Sequence, residues 1–155
     1  MALITLGTNS GKGKVLQVVR NYVANQSSHI ETTTSSFTAS GIQASITPTA
    51  SGNLILIDFN TTMQETRSTG FGTSRMYQRI GSGSFAQMTG ADAYHVAYSE
   101  SSLNRFAPIC FGGSYTATST DTLTYEPYIY AGTSNAFRFV HQNASYSLTL
   151  TEVEQ

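Results

Sequence analysis

The sequence predicts an all-β protein, an antiparallel β-sandwich or jelly roll with about eight to ten short strands. Ser and Thr make up 42 of the 155 residues, whereas Lys, Glu and Leu number only 2, 6 and 9, so strong helix formers are scarce. Tyr and Phe number 9 and 8, and these side chains favour a half-buried, pleated surface. Short alternating segments recur between clusters of Gly, Asn and Ser, and no useful length of chain keeps a helical period.

The length fits one domain. A chain of 155 residues buries about 69% of its extended surface on folding, so one ordinary core suffices without disulfide or metal staples. Residues 1–13 are rich in Gly, Ser and Asn after a brief apolar start, and Gly11-Lys12-Gly13 has the character of a hinge. We interpret residues 1–13 as an N-terminal arm and residues 14–155 as the jelly-roll domain.

The first strands are predicted from alternation. Residues 14–19 form the first predicted strand, and the long polar stretch of residues 21–36 is either a loop or an edge strand. Apolar and polar side chains then alternate over residues 42–46, and Pro48 ends that strand. After a turn, residues 54–59 are apolar at nearly every position, which predicts a strand covered on both faces.

The second half of the chain continues this pattern. Residues 75–80 alternate, Gly81-Ser82-Gly83-Ser84 makes a tight connection, and Gly112-Gly113 is predicted to turn the chain. Pro127 cannot donate a ladder hydrogen bond, so its strand is expected at an edge or at a bulge. The other predicted strands are residues 93–98, 104–111, 115–118, 123–130, 136–141 and 146–153.

Aromatic side chains crowd two consecutive predicted strands, with Tyr125, Tyr128 and Tyr130 on one and Phe137 and Phe139 on the next. Because side chains alternate along a strand, Tyr128 and Tyr130 point to one face and Tyr125 to the other. One face can fill the sandwich core, and the other needs a second cover, which a neighbouring subunit would provide. Core packing, a subunit interface and a sugar-stacking platform all remain open for these residues.

Charge and hydropathy exclude several classes of function. Charged residues make up 11% of the chain and the net charge is −1, which argues against binding nucleic acid through a basic surface. No apolar run approaches the roughly 18 residues of a membrane-spanning helix, and residues 1–6 lack the basic start of a signal peptide. We therefore expect neither a nucleic-acid partner nor insertion into a membrane.

The residues that could perform chemistry are scattered. Asp58 and Glu126 lie in apolar strands and form the one carboxylate pair to inspect, although hydrogen-bonded structural carboxylates are the simpler interpretation. Asp92 and His95, joined by Asp58 or His141, are the weak alternative for a metal site. We predict no catalytic residue, no metal and no cofactor.

The single cysteine, Cys110, lies in an apolar segment and excludes an intramolecular disulfide. Its neighbours Ile109 and Phe111 are those of a strand, so we predict a small buried apolar side chain there, with a nucleophilic thiol as the alternative.

One set of segments occurs in order along the chain: Lys14-Val15-Leu16-Gln17-Val18-Val19, residues 32–36, Phe37, Gly41, Ser45-Ile46-Thr47-Pro48, residues 54–57 and Ser147-Leu148-Thr149-Leu150-Thr151-Glu152-Val153. Together these segments resemble a β-sandwich module common in bacteriophage virion proteins. The two ends of the chain carry the more specific part of the likeness, and the middle agrees only in general composition. One departure is Gly52-Asn53, where such modules often carry a Lys in the turn.

The resemblance implies a jelly roll similar to the tumour-necrosis-factor and complement globular heads, assembled as a homotrimer. Such modules occur as capsid decoration (cement) proteins and as tail-fibre tips, and neither is an enzyme. The expected role is therefore a trimeric decoration protein on the virion surface that stabilises the shell. The alternative is a receptor-binding or tail-tip head, which would pair with a tail adaptor and contact a host glycan or protein.

Each role predicts its own contact residues. In a decoration protein, Leu3, Ile4 and Leu6 of the arm would bury against the major capsid protein while Lys12 stays solvated. In a receptor-binding head, loops over residues 66–74 or 81–89 would meet the host. A glycan hydrolase on the same scaffold is the third hypothesis, although no paired-carboxylate signature supports it.

Overall fold

The computed structural model describes residues 13–65, 70–99, 105–132, 137–140 and 142–155. Within these ranges the chain forms strands, turns and bends, and no helix is found there. The strands are β1 (Val15–Val23), β2 (Ile30–Thr32), β3 (Thr38–Ala39), β4 (Ala44–Ile46), β5 (Leu54–Glu65), β6 (Gly70–Ile80), β7 (Ala86–Ser99), β8 (Arg105–Thr116), β9 (Leu123–Ala131), β10 (Phe137–Val140) and β11 (Tyr146–Val153).

The strands form two antiparallel sheets. In the first sheet β5 is central, with β8 along one side and β11 followed by β10 along the other. The outer neighbours in this sheet are β1, which pairs with β11, and β2, which pairs with β10. The second sheet places β9 between β6 and the short strands β3 and β4, and β7 pairs with the far side of β6.

The connectivity is that of a jelly roll. If β1 with β2, β3 with β4, and β10 with β11 each count as one interrupted strand, the chain has eight strand positions. The first position pairs with the eighth, the second with the seventh, the third with the sixth and the fourth with the fifth, all antiparallel. This order is two Greek keys folded into two sheets, so the predicted fold class is confirmed.

The core lies between the two sheets and is formed by alternate residues of each strand. Phe59 and Phe139 stack at its centre with ring centroids 5.1 Å apart, and Phe111 contacts both rings. The other large, fully buried side chains include Ile42, Ile46, Ile55, Met63, Met76, Leu123, Tyr125, Ile129, Phe137, Leu148 and Leu150.

Several predicted element bounds differ from the structure. The last strand spans Tyr146–Val153, as the alternation predicted. Ile42, Ala44 and Ile46 are all buried, which confirms the side-chain alternation predicted for residues 42–46. The prediction of short strands is wrong for the middle of the chain, where β5 to β8 are 12, 11, 14 and 12 residues long. Residues 21–36 combine both predicted states, because β1 continues to Val23 and β2 is a short edge strand.

The predicted turn at Gly112-Gly113 is wrong, because both residues lie inside β8 and pair with Asp58 and Ile57 of β5. A Cβ at residue 112 would collide with the carbonyl oxygen of Ile57. The glycine therefore permits a close approach of two backbones within the sheet, which is the other common use of glycine in a strand.

The prediction that residues 54–59 are covered on both faces is also wrong. Ile55, Ile57 and Phe59 are buried, whereas Leu56 is 42% exposed and Asp58 is exposed on the outer face. The strand is central within its sheet, so its hydrogen-bonding edges are covered, but the outer face of an antiparallel sheet can stay in solvent.

Pro127 lies in the interior of the second sheet, in a position where no ladder bond is required. On one side it pairs with Met76 of β6. On the other side β3 ends at Ala39 and β4 begins at Ala44, so the neighbouring strand is interrupted opposite the proline. Ser40 N donates to the Pro127 carbonyl at 3.2 Å across this gap. An interrupted neighbour, rather than an edge or a bulge, accommodates the missing N–H.

The predicted arm, residues 1–13, lies outside the described residues except for Gly13. Gly13 lies just before β1, and its N donates to the Glu154 carbonyl at 2.7 Å, beside the pairing of β1 with β11. The described part of the chain holds no helix with the length and apolar character needed to span a bilayer.

Candidate functional site

The outer face of the second sheet carries a layer of aromatic and arginine side chains, which we call the aromatic face. Inward-facing residues of β6 and β9 fill the core, so alternate residues of the same strands are left on the outside. The members of the aromatic face are Phe37, Phe71, Arg75, Tyr77, Arg79, Phe85, Tyr128 and Tyr130.

The structure divides the aromatic residues singled out from the sequence. Tyr125, Phe137 and Phe139 lie in the core of this chain and are 0%, 2% and 0% exposed, so no part of them is left for a second subunit to cover. Their assignment to a trimer interface is therefore wrong. Tyr128 and Tyr130 lie on the opposite side of β9, as the alternation predicted, and both are half-buried members of the aromatic face.

The rings of the aromatic face come from two strands, β6 and β9, and from two connecting segments, and they contact one another. Tyr77 and Tyr128 stack with centroids 3.9 Å apart and an interplanar angle of 20°. Phe85 extends this pair, 6.0 Å from Tyr128, and Phe37 lies 5.4 Å from Tyr130. Each ring restrains its neighbour, so the layer presents rigid contact area rather than mobile side chains.

Two arginines lie flat on this layer. The Arg75 Cζ is 4.5 Å from the ring centroid of Phe37, and the Arg79 Cζ is 4.8 Å from that of Phe85. Arg75 also donates to the Gln87 side chain at 3.0 Å. Cation–π contacts of this kind hold a guanidinium in place over an aromatic ring.

Glu126 lies on the same side of β9 as Tyr128, is 1% exposed and has a structural role. Its two carboxylate oxygens accept from Gly41 N and from the Gln43 side chain, each at 2.7 Å, which ties the gap between β3 and β4 to β9. Burial raises the pKa of Tyr128, and the neighbouring Glu126 raises it further. Burial likewise raises the pKa of Tyr125, against a hydrogen bond from Gln78 that lowers it. Both phenols therefore stay neutral at physiological pH.

The predicted carboxylate pair does not form. Asp58 lies on the outer face of the first sheet and Glu126 on the outer side of the second, so the whole sandwich separates them, and packed sheets alone are about 10 Å apart. Asp58 instead accepts from the Asn60 side chain at 3.0 Å.

The weak metal hypothesis finds no support in the described residues. Asp92 and His95 belong to β7 of the second sheet, whereas Asp58 belongs to the first, and His141 lies outside the described residues. In the described ranges, no group of three or more His, Cys, Asp or Glu side chains lies close enough to hold a metal ion.

Cys110 is exposed, so the prediction of a buried side chain is wrong. Its neighbours Ile109 and Phe111 are 2% and 8% exposed and take the inward positions of β8, which leaves the intervening residue outside. Its Sγ lies 3.8 Å from the Asp58 Oδ1.

Sequence reasoning gave no role to Glu152, a fully buried carboxylate. It accepts from Gln17 Nε2 at 2.6 Å, from Thr49 N at 2.7 Å and from Asn53 Nδ2 at 2.7 Å. Burial favours the neutral acid, but these donors outweigh burial and lower the pKa of Glu152. Its burial could have been predicted from the sequence, because Glu152 continues the two-residue spacing of the buried positions Leu148 and Leu150.

The other predicted contact residues are placed as follows. Leu3, Ile4, Leu6 and Lys12 lie outside the described residues. Of the predicted receptor loops, residues 70–74 belong to β6 and residues 86–89 to β7. Residues 81–85 form the connection between these strands, and residues 66–69 lie outside the described residues.

Comparison with known proteins shows similarity at the level of fold. No protein-family model and no curated protein matches the chain. The VP2 subviral particle of infectious bursal disease virus is similar at 12% identity and a TM-score of 0.50, over 88% of this chain and 33% of that one. The Gx strain of the same virus aligns at 12% identity and a TM-score of 0.46, over 88% of this chain and 32% of that chain.

The cyanophage Pam1 capsid asymmetric unit aligns at 15% identity and a TM-score of 0.37, over 100% of this chain and 93% of that one. Our chain spans about a third of the length of the two infectious bursal disease virus chains. The class that the structure defines is an all-β jelly roll whose structural neighbours are proteins of viral capsids and particles.

Proposed function

We propose that this chain is a non-enzymatic structural protein of a virion, a homotrimer that decorates the capsid shell and stabilises it. The observation that carries the proposal is the aromatic face, a layer of six aromatic rings and two arginines on the outer side of the second sheet. The fold agrees with this role, because a jelly roll of this kind occurs in the VP2 particle of infectious bursal disease virus. The resemblance to phage virion modules points to the same class.

The composition of the aromatic face supports a subunit contact. Its eight members are three Tyr, three Phe and two Arg, the residue types enriched at protein interfaces, and none is Lys, Asp or Glu. In a cyclic trimer this face would meet a different surface of the next subunit, and three such heterologous contacts close the ring. Tyr128 and Tyr130 are the predicted residues that keep this role.

The capsid contact is assigned to the arm. Leu3, Ile4 and Leu6 form a short apolar group near the start of the chain, and Lys12 follows it. We propose that these three apolar side chains bury against the major capsid protein. The location on the virion surface follows from this proposal.

The copy number per virion tests the role. It is measured by quantitative gel densitometry against the major capsid protein, on purified particles. A decoration protein gives on the order of hundreds of copies in a fixed ratio to the shell protein, as capsid symmetry requires. A few to a few tens of copies would favour the tail-tip alternative, and absence from the particle would overturn both roles.

A further inference from the structure

A shallow cleft of about 260 Å³ lies on the outer face of the first sheet, away from the aromatic face. It forms where β1, β11 and β5 run side by side, with Tyr22 opposite Ser147 and Ser147 opposite Asn60. Arg20 lines the same cleft, together with Thr62 and Ser145. The lining is therefore one cation, the two aromatic residues Tyr22 and Tyr146, and a set of hydroxyl and amide groups.

Arg20 is held in a fixed orientation. Its Nε donates to the Ser147 Oγ at 2.8 Å, and its Cζ lies 4.5 Å from the ring centroid of Tyr22. The Ser147 Oγ is in turn 3.2 Å from the Thr149 Oγ1, so the hydroxyl that accepts from Arg20 is itself anchored. Among the described residues, no hydrogen bond or ion pair engages the two terminal nitrogens of Arg20. A pre-oriented guanidinium fork is thus presented to the cleft.

The chemistry of this lining favours a ligand that carries both a carboxylate and hydroxyl groups. A guanidinium edge matches a carboxylate in a bidentate hydrogen-bonded pair, and it does so better when its plane is fixed in advance. Asn60, Thr62 and Ser145 offer donors and acceptors of the kind that pair with sugar hydroxyls. Tyr22 is 52% exposed and supplies apolar ring surface. The volume is below the roughly 300–1,000 Å³ of sites for drug-sized ligands, which suits a single sugar unit.

We propose that the cleft binds an acidic sugar unit of a glycan or surface polysaccharide, with Arg20 pairing with its carboxylate. Among the described residues, Asp58 is the carboxylate in the register row of Arg20, two strands and about 10 Å away. Asp58 accepts from Asn60 at 3.0 Å, so it lies beyond the Asn60 side of the cleft, and the carboxylate of the ligand is expected on the Arg20 side, about one Debye length at 0.1 M salt from Asp58. The inference goes beyond the decoration role, because it concerns what the outer surface of the protein holds once the protein is on a particle.

The test is a ¹H–¹⁵N NMR titration of the full chain with glucuronic acid and with N-acetylneuraminic acid. Glucose serves as the neutral control and sodium acetate as the control for a carboxylate without a sugar. The proposal expects shifts confined to the amides of residues 20–22, 60–62 and 145–147, with a Kd on the order of 1 mM for at least one acidic sugar. Glucose and acetate at the same concentrations should leave these amides in place.

Three variants locate the binding. Arg20→Gln removes the fork and should weaken the acidic sugar by about tenfold or more, while Arg20→Lys keeps the charge and should recover only part of the affinity. Arg138→Gln is the matched control, because Arg138 lies in the same sheet and is already engaged by Glu31 at 2.9 Å and Gln64 at 3.0 Å.

The outcomes are decisive in either direction. Equal shifts with acetate would reduce the site to a general anion contact and overturn the proposal, as would full affinity in Arg20→Gln with a native spectrum. Absence of shifts with both acidic sugars at tens of millimolar, about ten times the expected Kd or more, would also overturn it. If Arg138→Gln and Arg20→Gln lost affinity equally, the effect would be one of net charge and not of this cleft.

Discussion

Glu152 shows how one residue secures the end of the sandwich. It is fully buried in phase with the core, and its carboxylate gathers donors from β1, from Thr49 and from Asn53. The turn that links β4 to β5 is thereby tied to the edge formed by β1 and β11. A buried charge of this kind is stable only because several donors satisfy it at once.

Replacing Glu152 with Gln should destabilise the fold. The amide nitrogen of Gln would face a donor, and the charge-assisted hydrogen bonds would be lost, so we expect a loss of about 2–4 kcal/mol in the free energy of unfolding at pH 7. Urea melts monitored by circular dichroism measure it. Glu31→Gln is the control, because Glu31 is an exposed partner of Arg138 and its loss should cost under about 1 kcal/mol. Equal losses in the two variants would contradict the role of Glu152.

The pH dependence follows from the lowered pKa of Glu152. Its ordinary value is 4.5, and the folded value lies below that, so the unfolded chain takes up the proton first as the pH falls. The stability that this carboxylate contributes is therefore present above pH 4.5 and is lost as the pH drops through the folded value. In Glu152→Gln, the loss of stability that protonation of this carboxylate causes at low pH should be absent.

At the scale of elements, β8 depends on a close approach to β5. Gly112 sits opposite Asp58 with no room for a Cβ, because the carbonyl oxygen of Ile57 occupies the space. The two strands are paired over their full lengths, from Leu54 with Thr116 to Glu65 with Arg105. One side chain at residue 112 would therefore disturb the longest ladder of the first sheet.

Gly112→Ala should lower the free energy of unfolding by about 1–3 kcal/mol, the usual cost of inserting a methyl group into filled space. The measurement is the urea midpoint at pH 7. Ser114→Ala, at an exposed position of the same strand, should stay within about 0.5 kcal/mol of the parent protein. A stability for Gly112→Ala equal to that of Ser114→Ala would show that the backbones separate at little cost.

The same elements show what sequence reasoning can and cannot reach. The phase of β4, β9 and β11 was predictable, because alternation of side chains is a local property. The Gly112-Gly113 pair was misassigned because a glycine in a turn and a glycine under a close backbone contact look alike along the chain. Whether Leu56 is covered depends on what lies over the outer face of the sheet, which the local sequence does not encode. The prediction that Cys110 is buried was wrong because pairing with β5 decides which residues of β8 face the core.

At the scale of the whole molecule, the aromatic face is the surface that we propose contacts another subunit. Part of it was predictable, because Tyr128 and Tyr130 share one phase opposite to Tyr125. The remainder was not, because Phe37 and Phe85 come from segments outside β6 and β9 and join the face only after the chain folds. Their contribution depends on long-range packing that no local pattern encodes.

The assembly prediction is a trimer of about 50 kDa, three times the 16.7 kDa of the chain. The double variant Tyr128→Ser/Tyr130→Ser should run as a monomer by size-exclusion chromatography with light scattering, since interface aromatics dominate binding energy. Leu56→Ser, which alters a 42% exposed apolar residue on the other sheet, should leave the mass unchanged. Because the face holds few charges, the trimer should also persist at about 0.5 M salt.

A parent protein that is monomeric at micromolar concentration would contradict the trimer. A double variant that keeps the trimer mass would show that the three-fold contact does not use the aromatic face. The decoration role is tested separately, by the copy number.

The pairing of β1 with β11 brings both ends of the domain to one corner. Gly13 N bonds to the Glu154 carbonyl at 2.7 Å, and Glu154 N bonds to the Lys14 carbonyl at 2.9 Å. A circularly permuted gene that links residue 154 to residue 13 and opens the chain at residues 81–84 would therefore preserve every strand pair. The new ends would emerge between β6 and β7, so a fused cargo could be moved from the first sheet to the second sheet without redesigning the core.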